Sequence, residues 1–227
     1  MPGADAERVA GVVLAAGKSS RMGRNKMLLE LGRQPLVRRA VTAALDAGLS
    51  PVLVVVGHEA DRVREAVAGL DCRPVLNPDH AQGVRVSLQT GVRALPEGVA
   101  AAVVLLADMP FVTAAMIRAV ADRYRAGGAP LVVSEYGDVN APPTLYDRAL
   151  FPELLAMSGE GCGKQVVRRH REQAAVVPWP EAALADVDVP EDYERIGAEL
   201  ADWGSGGEAA ERREAPSAAG RGGPRPA

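Results

Sequence analysis

The chain is poor in cysteine: its 227 residues include only Cys72 and Cys162, which lie far apart in the sequence. This scarcity excludes a disulfide framework, a CxxC pair and the ligand spacing of a zinc site. We therefore expect two free thiols and a protein that works in a reducing compartment, the cytoplasm.

Long apolar runs and a strong net charge are also absent. No run approaches the roughly 20 apolar residues that span a membrane, and the N-terminal segment MPGADAER lacks the basic and apolar parts of a secretory signal. The formal net charge of −3 offers no general attraction to nucleic acid or to an anionic membrane. We expect neither as a partner, so an anionic ligand must be held by local geometry.

Lysine is scarce as well, although arginine is abundant. The lysines are Lys18, Lys26 and Lys164, and each lies in or beside a Gly-rich segment. The ammonium group of lysine is a compact point charge that suits a phosphate group. These positions are therefore candidate phosphate ligands.

The chain is long enough for one large α/β domain, and its hydrophobic content of 48% is ordinary for a globular protein. Continuous apolar runs alternate with helical patterns, which is typical of a parallel sheet covered on both faces. The sequence therefore predicts an α/β fold with a doubly wound, mostly parallel, Rossmann-like sheet. The predicted strands are 9–15, 51–57, 72–77, 99–108 and 129–135, and the predicted helices are 35–47, 59–68, 84–94 and 113–125.

The pattern changes after Tyr136, where turn residues, a Pro pair and two short helical patterns are mixed. We interpret this part as a small, irregular α+β subdomain laid over the sheet. The segments AAVVPWP and ADVDV are then predicted as strands, and PEDYERIGAEL as a closing helix. The predicted organisation is a flexible N-terminus at 1–8, a domain at 9–200 and a disordered tail at 203–227, which has no apolar periodicity.

The segment after the first strand has the character of a phosphate-binding loop. It misses the Walker A pattern by one residue, because five residues separate Gly11 from Gly17, although VVLLAD at 103–108 imitates a Walker B strand. The basic segment SSRMGRN prolongs the loop as far as Lys26, which suits a loop that wraps a triphosphate. Backbone N–H groups around Gly17 can approach phosphate oxygens closely, and Arg21 and Lys26 supply positive charge.

The stretch LAAGKSSRMGRNKMLLELGRQPLV closely resembles the N-terminal signature of nucleotidyltransferases with a molybdopterin-guanylyltransferase-like fold. That signature has L-A-[AG]-G, a basic loop with R-M-G, and a lysine a few residues later. Further segments follow in the family's order, namely VVVGHEADRV, NPDHAQGVRVSL, LLADMPFVT and DVDVPEDYERI. The resemblance covers residues 9–200 and implies the Rossmann-like nucleotide-diphospho-sugar/nucleotidyltransferase fold.

Within this superfamily the chain looks most like the molybdenum cofactor cytidylyltransferases, which transfer CMP from CTP to molybdopterin and release pyrophosphate. Guanylyltransferase relatives typically have L-A-G-G where this chain has L-A-A-G, so the Cβ of Ala16 would narrow the space beside the nucleobase. Two alternatives stay open. One is a guanylyltransferase, or another NTP transferase acting on a different phosphorylated acceptor, and the other is a non-catalytic carrier of nucleotide or cofactor.

The resemblance implies roles for particular residues in the transfer reaction, in which positioning and charge neutralisation do most of the catalytic work. The implied catalytic residues are Arg21, Lys26 and Asp108. The implied nucleotide-binding residues are Leu14, Ala15, Ala16, Gly17, Arg21, Lys26, Asn77, Gly83 and Ser87.

A magnesium site is expected at Asp108, which ends the most apolar strand at the carboxyl edge of a parallel sheet. Mg²⁺ prefers carboxylate and phosphate oxygens as ligands. A second carboxylate should come from DVDVPED, where period-two alternation places Asp186 and Asp188 on one face of the predicted strand. The resemblance favours Asp188 as the metal ligand, and the helix dipole suffices to explain Asp192 in the first turn of the last helix.

The acceptor is harder to place, because VNAPPTLY departs from the family's usual G-N-P-V segment. We predict Asn140 and Lys164 as acceptor-binding residues, the latter in a helix whose N-terminus suits a phosphate group. Two interpretations of His80 stay open: it is a neighbour of the ligand, or it is a solvated loop residue, which is the commoner situation for a lone histidine in a loop. The acceptor implied by the resemblance is molybdopterin, with hand-over of the product to a molybdenum hydroxylase or its chaperone.

Overall fold

A computed structural model describes residues 8–159, 161–189 and 191–196. The strands are β1 (Val9–Ala15), β2 (Glu30–Leu31), β3 (Gln34–Pro35), β4 (Val52–Val56), β5 (Arg73–Leu76), β6 (Ala101–Leu106), β7 (Leu131–Tyr136), β8 (Val139–Asp147) and β9 (Ala174–Trp179). The helices are α1 (Leu36–Asp46), α2 (Ala60–Ala66), α3 (Val84–Arg93), α4 (Ala114–Arg125), α5 (Phe151–Ala156) and α6 (Cys162–Arg169). Residues 191–196 are also helical.

Seven strands form one sheet in the order β5-β4-β1-β6-β8-β7-β9, and β2 pairs with β3 in a separate hairpin. β1 is parallel to β4 and to β6, and β7 is parallel to β9. β8 is antiparallel to both of its neighbours, β6 and β7. The predicted doubly wound, mostly parallel sheet is therefore confirmed.

Helices cover both faces of this sheet, as the continuous apolar strands predict. On one face, α1, α2 and α4 contribute Val41, Val63 and Val120 to a core with one side of the strands. On the other face, α3, α5 and α6 contribute the buried side chains of Leu88, Leu154 and Val166. β1 lies inside the sheet between β4 and β6 and is buried along its whole length.

The interpretation of the segment after Tyr136 as a subdomain laid over the sheet is wrong for β8, which lies inside the sheet. The register of β7 and β8 shifts between Val133 and Ser134, so Pro142 and Pro143 have no partners in the ladder. Proline cannot donate to a ladder, and here side chains complete the hydrogen bonding: Tyr136 donates to the carbonyl of Pro142 at 2.8 Å and Ser134 to that of Pro143 at 2.7 Å. Only α5 and α6 lie over the sheet as predicted.

The predicted strand ADVDV is also wrong, because residues 185–189 form no strand. This segment follows a short 3-10 helix (Glu181–Leu184) and crosses the sheet edge with Val187 fully buried. Its apolar side chains join a third cluster that includes Met22 and Met109. Of the predicted closing helix, residues 191–196 are confirmed, whereas Pro190, 197–200 and the predicted tail at 203–227 lie outside the described residues, as does most of the predicted N-terminal segment.

In the part of the chain that the structure describes, no helix has both the length and the apolar character needed to cross a membrane.

Candidate active site

The candidate site lies where the sheet changes its winding direction. The chain runs from β1 outward to β4 and β5 and then returns to β6 on the other side of β1. In open α/β sheets, ligands bind outside the carboxyl ends of the strands at such a switch point. The loops after β1 and β6 meet here and border a cleft of about 400 Å³.

The cleft is built from four segments of the chain. The loop after β1 contributes residues 16–21, followed by Lys26 and Met27. The region that opens α3 contributes His80, Ala81, Gly83, Val84 and Ser87. Leu14 and Leu106 form the floor, and Asp108 and Asp188 close the remaining side.

The loop after β1 is folded back on itself by Ser19, which adopts a left-handed backbone conformation with φ of 53°. Its hydroxyl accepts a hydrogen bond from the amide of Lys26 at 3.0 Å, and its carbonyl accepts one from Met22 at 2.9 Å. The buried side chain of Asn25 caps the next turn by accepting from the amide of Met27 at 3.1 Å. These contacts return Lys26 to the end of the sheet.

Lys26 bridges two carboxylates that are distant in sequence. Its Nζ atom lies 2.5 Å from Oδ2 of Asp108 and 2.8 Å from Oδ1 of Asp188. Arg21 approaches Asp188 from the solvent side, with Nη2 2.7 Å from Oδ2. The Lys26 side chain is only 12% exposed, whereas that of Arg21 is 68% exposed, so the lysine forms the inner and the arginine the outer part of the cluster.

The electrostatics of the cluster follow from this geometry. Burial by itself lowers the pKa of Lys26, but the carboxylates of Asp108 and Asp188 outweigh it, and the net result is a raised pKa. The hydrogen bond from Lys26 is the largest cause of the lowered pKa of Asp188. Burial, followed by the negative charges of Asp188 and Asp108, raises the pKa of Asp186. Asp186 therefore lies close enough to Asp188 and Asp108 for their charges to act on it.

The position of Asp188 is fixed by backbone hydrogen bonds on both sides. The amide of Val187 donates to the carbonyl of Asp108 at 3.1 Å. The carboxylate of Asp192 accepts from the amides of Asp188 and Val189, each at 3.1 Å, and these bonds lower the pKa of Asp192. The helix dipole is thus not sufficient to explain Asp192, which holds the turn that carries Asp188.

The opposite wall of the cleft is formed by the start of α3. Gly83 has φ of 96°, a conformation that favours glycine, and it precedes the first turn of the helix. Ser87 lies one turn further on, and its hydroxyl accepts from Nδ2 of Asn77 at 3.0 Å. Asn77 is itself buried and is not among the cleft-lining residues, so it orients Ser87 from behind.

Most of the predicted site residues meet in this cleft. Those that line it are Leu14, Ala16, Gly17, Arg21, Lys26, Gly83, Ser87, Asp108 and Asp188. Ala15 is buried at the end of β1, behind the cleft wall. The predicted acceptor residues Asn140 and Lys164 do not line this cleft and lie on β8 and in the first turn of α6.

Sequence reasoning missed Val84, which lines the cleft and is 60% exposed at the start of α3. A signal for it was available, since it follows Gly83 at the loop-to-helix junction after a parallel strand. His80 also lines the cleft, which agrees with its interpretation as a neighbour of the ligand.

The carboxylates suit a hard divalent cation. Mg²⁺ is commonly bound by one or two carboxylates together with substrate phosphates and water, and Asp108 and Asp188 offer two oxygen donors at one end of the cleft. No group of three or more His, Cys, Asp or Glu residues within 8–159, 161–189 and 191–196 is arranged to hold a metal ion. A cation here would therefore need further ligands from a bound substrate.

Residues 11–174 match the family of MobA-like NTP transferase domains. Because this match covers most of the chain, the chain belongs to that family of nucleotidyltransferases. The family assignment agrees with the position of the cleft and with the basic loop that borders it.

Two curated relatives show how far the similarity extends. The purine catabolism protein PucB of Bacillus subtilis is 28% identical over 196 residues, which are 82% of this chain and 94% of PucB. The bifunctional protein GlmU of Kineococcus radiotolerans is 38% identical over 144 residues, which are 61% of this chain but only 29% of GlmU. The chain thus matches less than a third of that relative's length.

Solved structures share the fold over nearly their whole length. A nucleotidyl transferase from Methanothermobacter thermautotroptrophicus, Mth528, has a TM-score of 0.75 and 25% identity, with 86% of this chain and 98% of that chain covered. Rv0371c of Mycobacterium tuberculosis H37Rv in complex with manganese has a TM-score of 0.68 and 29% identity, with 83% and 97% covered.

Proposed function

We propose that this protein is a Mg²⁺-dependent cytidylyltransferase that transfers CMP from CTP to the phosphate group of molybdopterin and releases pyrophosphate. The observation that carries the proposal is the contact of Lys26 with both Asp108 and Asp188 at the switch point of the sheet. This arrangement joins a cationic side chain to two carboxylates beside a basic, Gly-containing loop, which supports phosphate binding next to a metal ion.

The proposed reaction is an in-line displacement at the α-phosphorus of CTP. An oxygen of the acceptor phosphate forms the new bond to this phosphorus, while the bond from phosphorus to the bridging oxygen of the β-phosphate breaks and pyrophosphate leaves. The enzyme's task in such a reaction is to position the reactants and to neutralise charge. The backbone around Gly17, together with Arg21 and Lys26, would hold the phosphates.

Asp108 and Asp188 would hold the magnesium ion, with the phosphates of the nucleotide completing its coordination. When bound, Mg²⁺ polarises the phosphoryl oxygens and stabilises the negative charge that develops during transfer. The manganese complex of Rv0371c, a structural relative at 29% identity, supports a divalent cation in this fold. Asp186, whose pKa is raised by burial and by the charges of Asp188 and Asp108, is a third carboxylate near the proposed metal site.

The acceptor would bind on the side of β8, which pairs with β6, the strand that precedes Asp108. Oδ1 of Asn140 is buried and has no hydrogen-bond partner among the described residues, so an acceptor group that donates to it would satisfy this oxygen. Tyr146, also on β8 but six residues from Asn140, donates a 3.4 Å hydrogen bond to the carbonyl of Gly163. This contact attaches the first turn of α6, which carries Lys164, to β8, and Lys164 is proposed as an acceptor ligand because of its charge.

Two points support cytidine as the base and a catalytic role. Ala16, which stands where guanylyltransferase relatives typically have glycine, is a cleft-lining residue, so its Cβ takes up space that a larger purine would need. The joint presence of Lys26, Asp108 and Asp188 supports an enzyme over a carrier, which needs no metal ligands. The product would pass to a molybdenum hydroxylase or its chaperone in the cytoplasm.

The proposal is tested by pyrophosphate release from purified protein with Mg²⁺ and molybdopterin, with CTP, GTP, ATP and UTP in separate reactions. We expect release with CTP and little with the other nucleotides. A clear preference for GTP would contradict the cytidylyl assignment. Pyrophosphate release from CTP in the presence of another phosphorylated acceptor, but not in the presence of molybdopterin, would contradict molybdopterin as the acceptor. No release with any combination of nucleotide and acceptor would favour a carrier.

A further inference from the structure

The cleft has a charged end and a neutral end. Salt bridges join Arg21, Lys26, Asp108 and Asp188 at the charged end, which suits phosphates and a cation. The other lining side chains, apart from the small loop residues, Lys18 and Met27, are Leu14, Ala16, His80, Val84, Ser87 and Leu106. A nucleoside triphosphate that places its phosphates at the charged end must therefore place its base against the neutral end.

We propose that His80 is a base-selecting residue of this cleft, which discriminates the nucleotide through its imidazole ring. Among the cleft-lining residues, His80 is the one with a ring and with side-chain nitrogens at the neutral end. The inference rests on the proposed function only in requiring that a nucleoside triphosphate binds here. It does not depend on the identity of the acceptor.

The ring of His80 is held in place by a close approach to the backbone of Gly57. A Cβ added to Gly57 would lie 2.5 Å from Cβ and 2.7 Å from Cγ of His80, and 2.9 Å from Cβ of Ala16. These distances are too short for any side chain, so His80 packs where only glycine leaves room. Gly57 thus packs against both His80 and Ala16 of the L-A-A-G motif.

The two ring nitrogens of His80 have different surroundings. Nδ1 is buried and has no partner among the described residues. Because Nδ1 is unpaired in either tautomer, the ring keeps the ordinary preference of a neutral histidine for the proton on Nε2. Nε2 is not buried in this way, and it forms no hydrogen bond within the part of the chain that the structure describes. An accessible N–H donor is therefore available to a ligand.

Such a donor distinguishes between pyrimidines. Cytosine offers two neighbouring acceptors on its pairing edge, the N3 and O2 atoms, whereas uracil carries a hydrogen on N3. An N–H donor that faces N3 is satisfied by cytosine and is left opposite another donor by uracil. Sites that hydrogen-bond a ligand reject an analogue whose polar groups cannot pair, so His80 is expected to favour CTP over UTP.

The test is direct binding of CTP, UTP, GTP and ATP, measured by calorimetry with Mg²⁺ and without any acceptor. The variants are His80→Ala and His80→Phe, where the second keeps a ring but removes the nitrogens. The matched control is His58→Ala, because the ring of His58 lies 6.2 Å from that of His80 but does not line the cleft. Tripolyphosphate is the probe for the charged end alone.

We expect wild type and His58→Ala to bind CTP about tenfold or more tightly than UTP. In both His80 variants the ratio of the two dissociation constants should fall by about tenfold. Tripolyphosphate should bind equally to all four proteins. The inference is overturned if wild type binds the four nucleotides alike, or if the His80 variants keep the wild-type ratio. If the ratio changes but no transfer to molybdopterin occurs in the reaction described above, the base-selecting role stands and the proposed acceptor fails.

Discussion

The amide of Val187 donates a 3.1 Å hydrogen bond to the carbonyl oxygen of Asp108. This single bond joins the loop after β6 to a segment almost eighty residues further along the chain. It places Asp188, the next residue, beside Asp108, so that Lys26 can contact both carboxylates. The two candidate metal ligands therefore come together through the backbone as well as through the lysine between them.

Asp192 should control metal affinity through its hold on this turn. In Asp192→Ala the amides of Asp188 and Val189 lose their acceptor, so Asp188 is no longer held in place. Removing an outer residue that positions a metal ligand typically lowers metal affinity by about 10–100-fold. We expect the Mg²⁺ concentration for half-maximal activity to rise by this factor, as measured in a metal titration of pyrophosphate release. The control is Glu191→Ala at the neighbouring exposed position, and an equal effect of both variants would contradict the role of Asp192.

Lys26 should matter more than Arg21, although both contact Asp188. Lys26 is nearly buried between two carboxylates, whereas Arg21 is mostly exposed to solvent, where screening weakens its interactions. We expect Lys26→Ala to lower kcat by about 10²–10³-fold, as for the removal of a preorganised charge-stabilising group, and Arg21→Ala to lower it less. Thermal unfolding of both variants checks that they are folded. A larger loss for Arg21→Ala would show that the inner cluster is not the centre of the reaction.

Gly91 should be required for the seating of α3 on the sheet. A Cβ at this position would lie 2.4 Å from Cγ1 of Val12 and 3.0 Å from Cγ2 of Val55. We expect Gly91→Ala to lower the free energy of unfolding by about 1–3 kcal/mol, the usual cost of overpacking a core, as measured by urea denaturation. Gly11→Ala is the matched comparison, because the nearest atom there, Cδ1 of Leu49, is 3.1 Å away, and its cost should be smaller. A Gly91→Ala protein as stable as wild type would show that α3 does not pack on β1 this closely.

Stability should fall at alkaline pH because of two tyrosines. Burial raises the pKa of Tyr136 and of Tyr124 well above the ordinary value of 10.0, and for Tyr124 the hydrogen bond to Asp147 adds to this effect. Above the ordinary value the unfolded chain releases phenolic protons that the folded chain retains, so the free energy of unfolding decreases as pH rises. This contribution is fully present below pH 10.0. Urea unfolding at increasing pH should show a shallower decline for the Tyr124→Phe/Tyr136→Phe double variant, and identical slopes would contradict the account.

The sequence predicts the elements that build the floor of the site. The continuous apolar runs of β1 and β6 identify them as central parallel strands, and that identification places Gly17 and Asp108 at one edge of the sheet. The resemblance to a known family then supplies the roles of Lys26 and Asp188. Gly17 and Asp108 thus follow from local patterns, whereas Lys26 and Asp188 are assigned by the resemblance.

Other parts of the structure depend on contacts that no local pattern records. The Pro142-Pro143 pair argues against a strand, and only the hydroxyls of Tyr136 and Ser134, which take up the proline carbonyls, let β8 continue through it. The alternation in ADVDV predicts a strand, but Asp192 and the carbonyl of Asp108 take the amides that a strand would need. The two interpretations of His80 could not be decided from the sequence, because its packing partner, Gly57, becomes informative only when the folded chain brings the two together.

The most direct test of the account is pyrophosphate release from CTP and molybdopterin with Mg²⁺ by wild type, Asp108→Asn and Asp61→Asn. Asp61 is the control because its side chain is 96% exposed on α2, outside the cleft. We expect Asp61→Asn to retain wild-type turnover. We expect Asp108→Asn to lose turnover but largely to retain nucleotide binding measured without Mg²⁺. An Asp108→Asn protein that turns over at the wild-type rate would contradict the central claim that the carboxylates beside Lys26 hold the metal for nucleotidyl transfer.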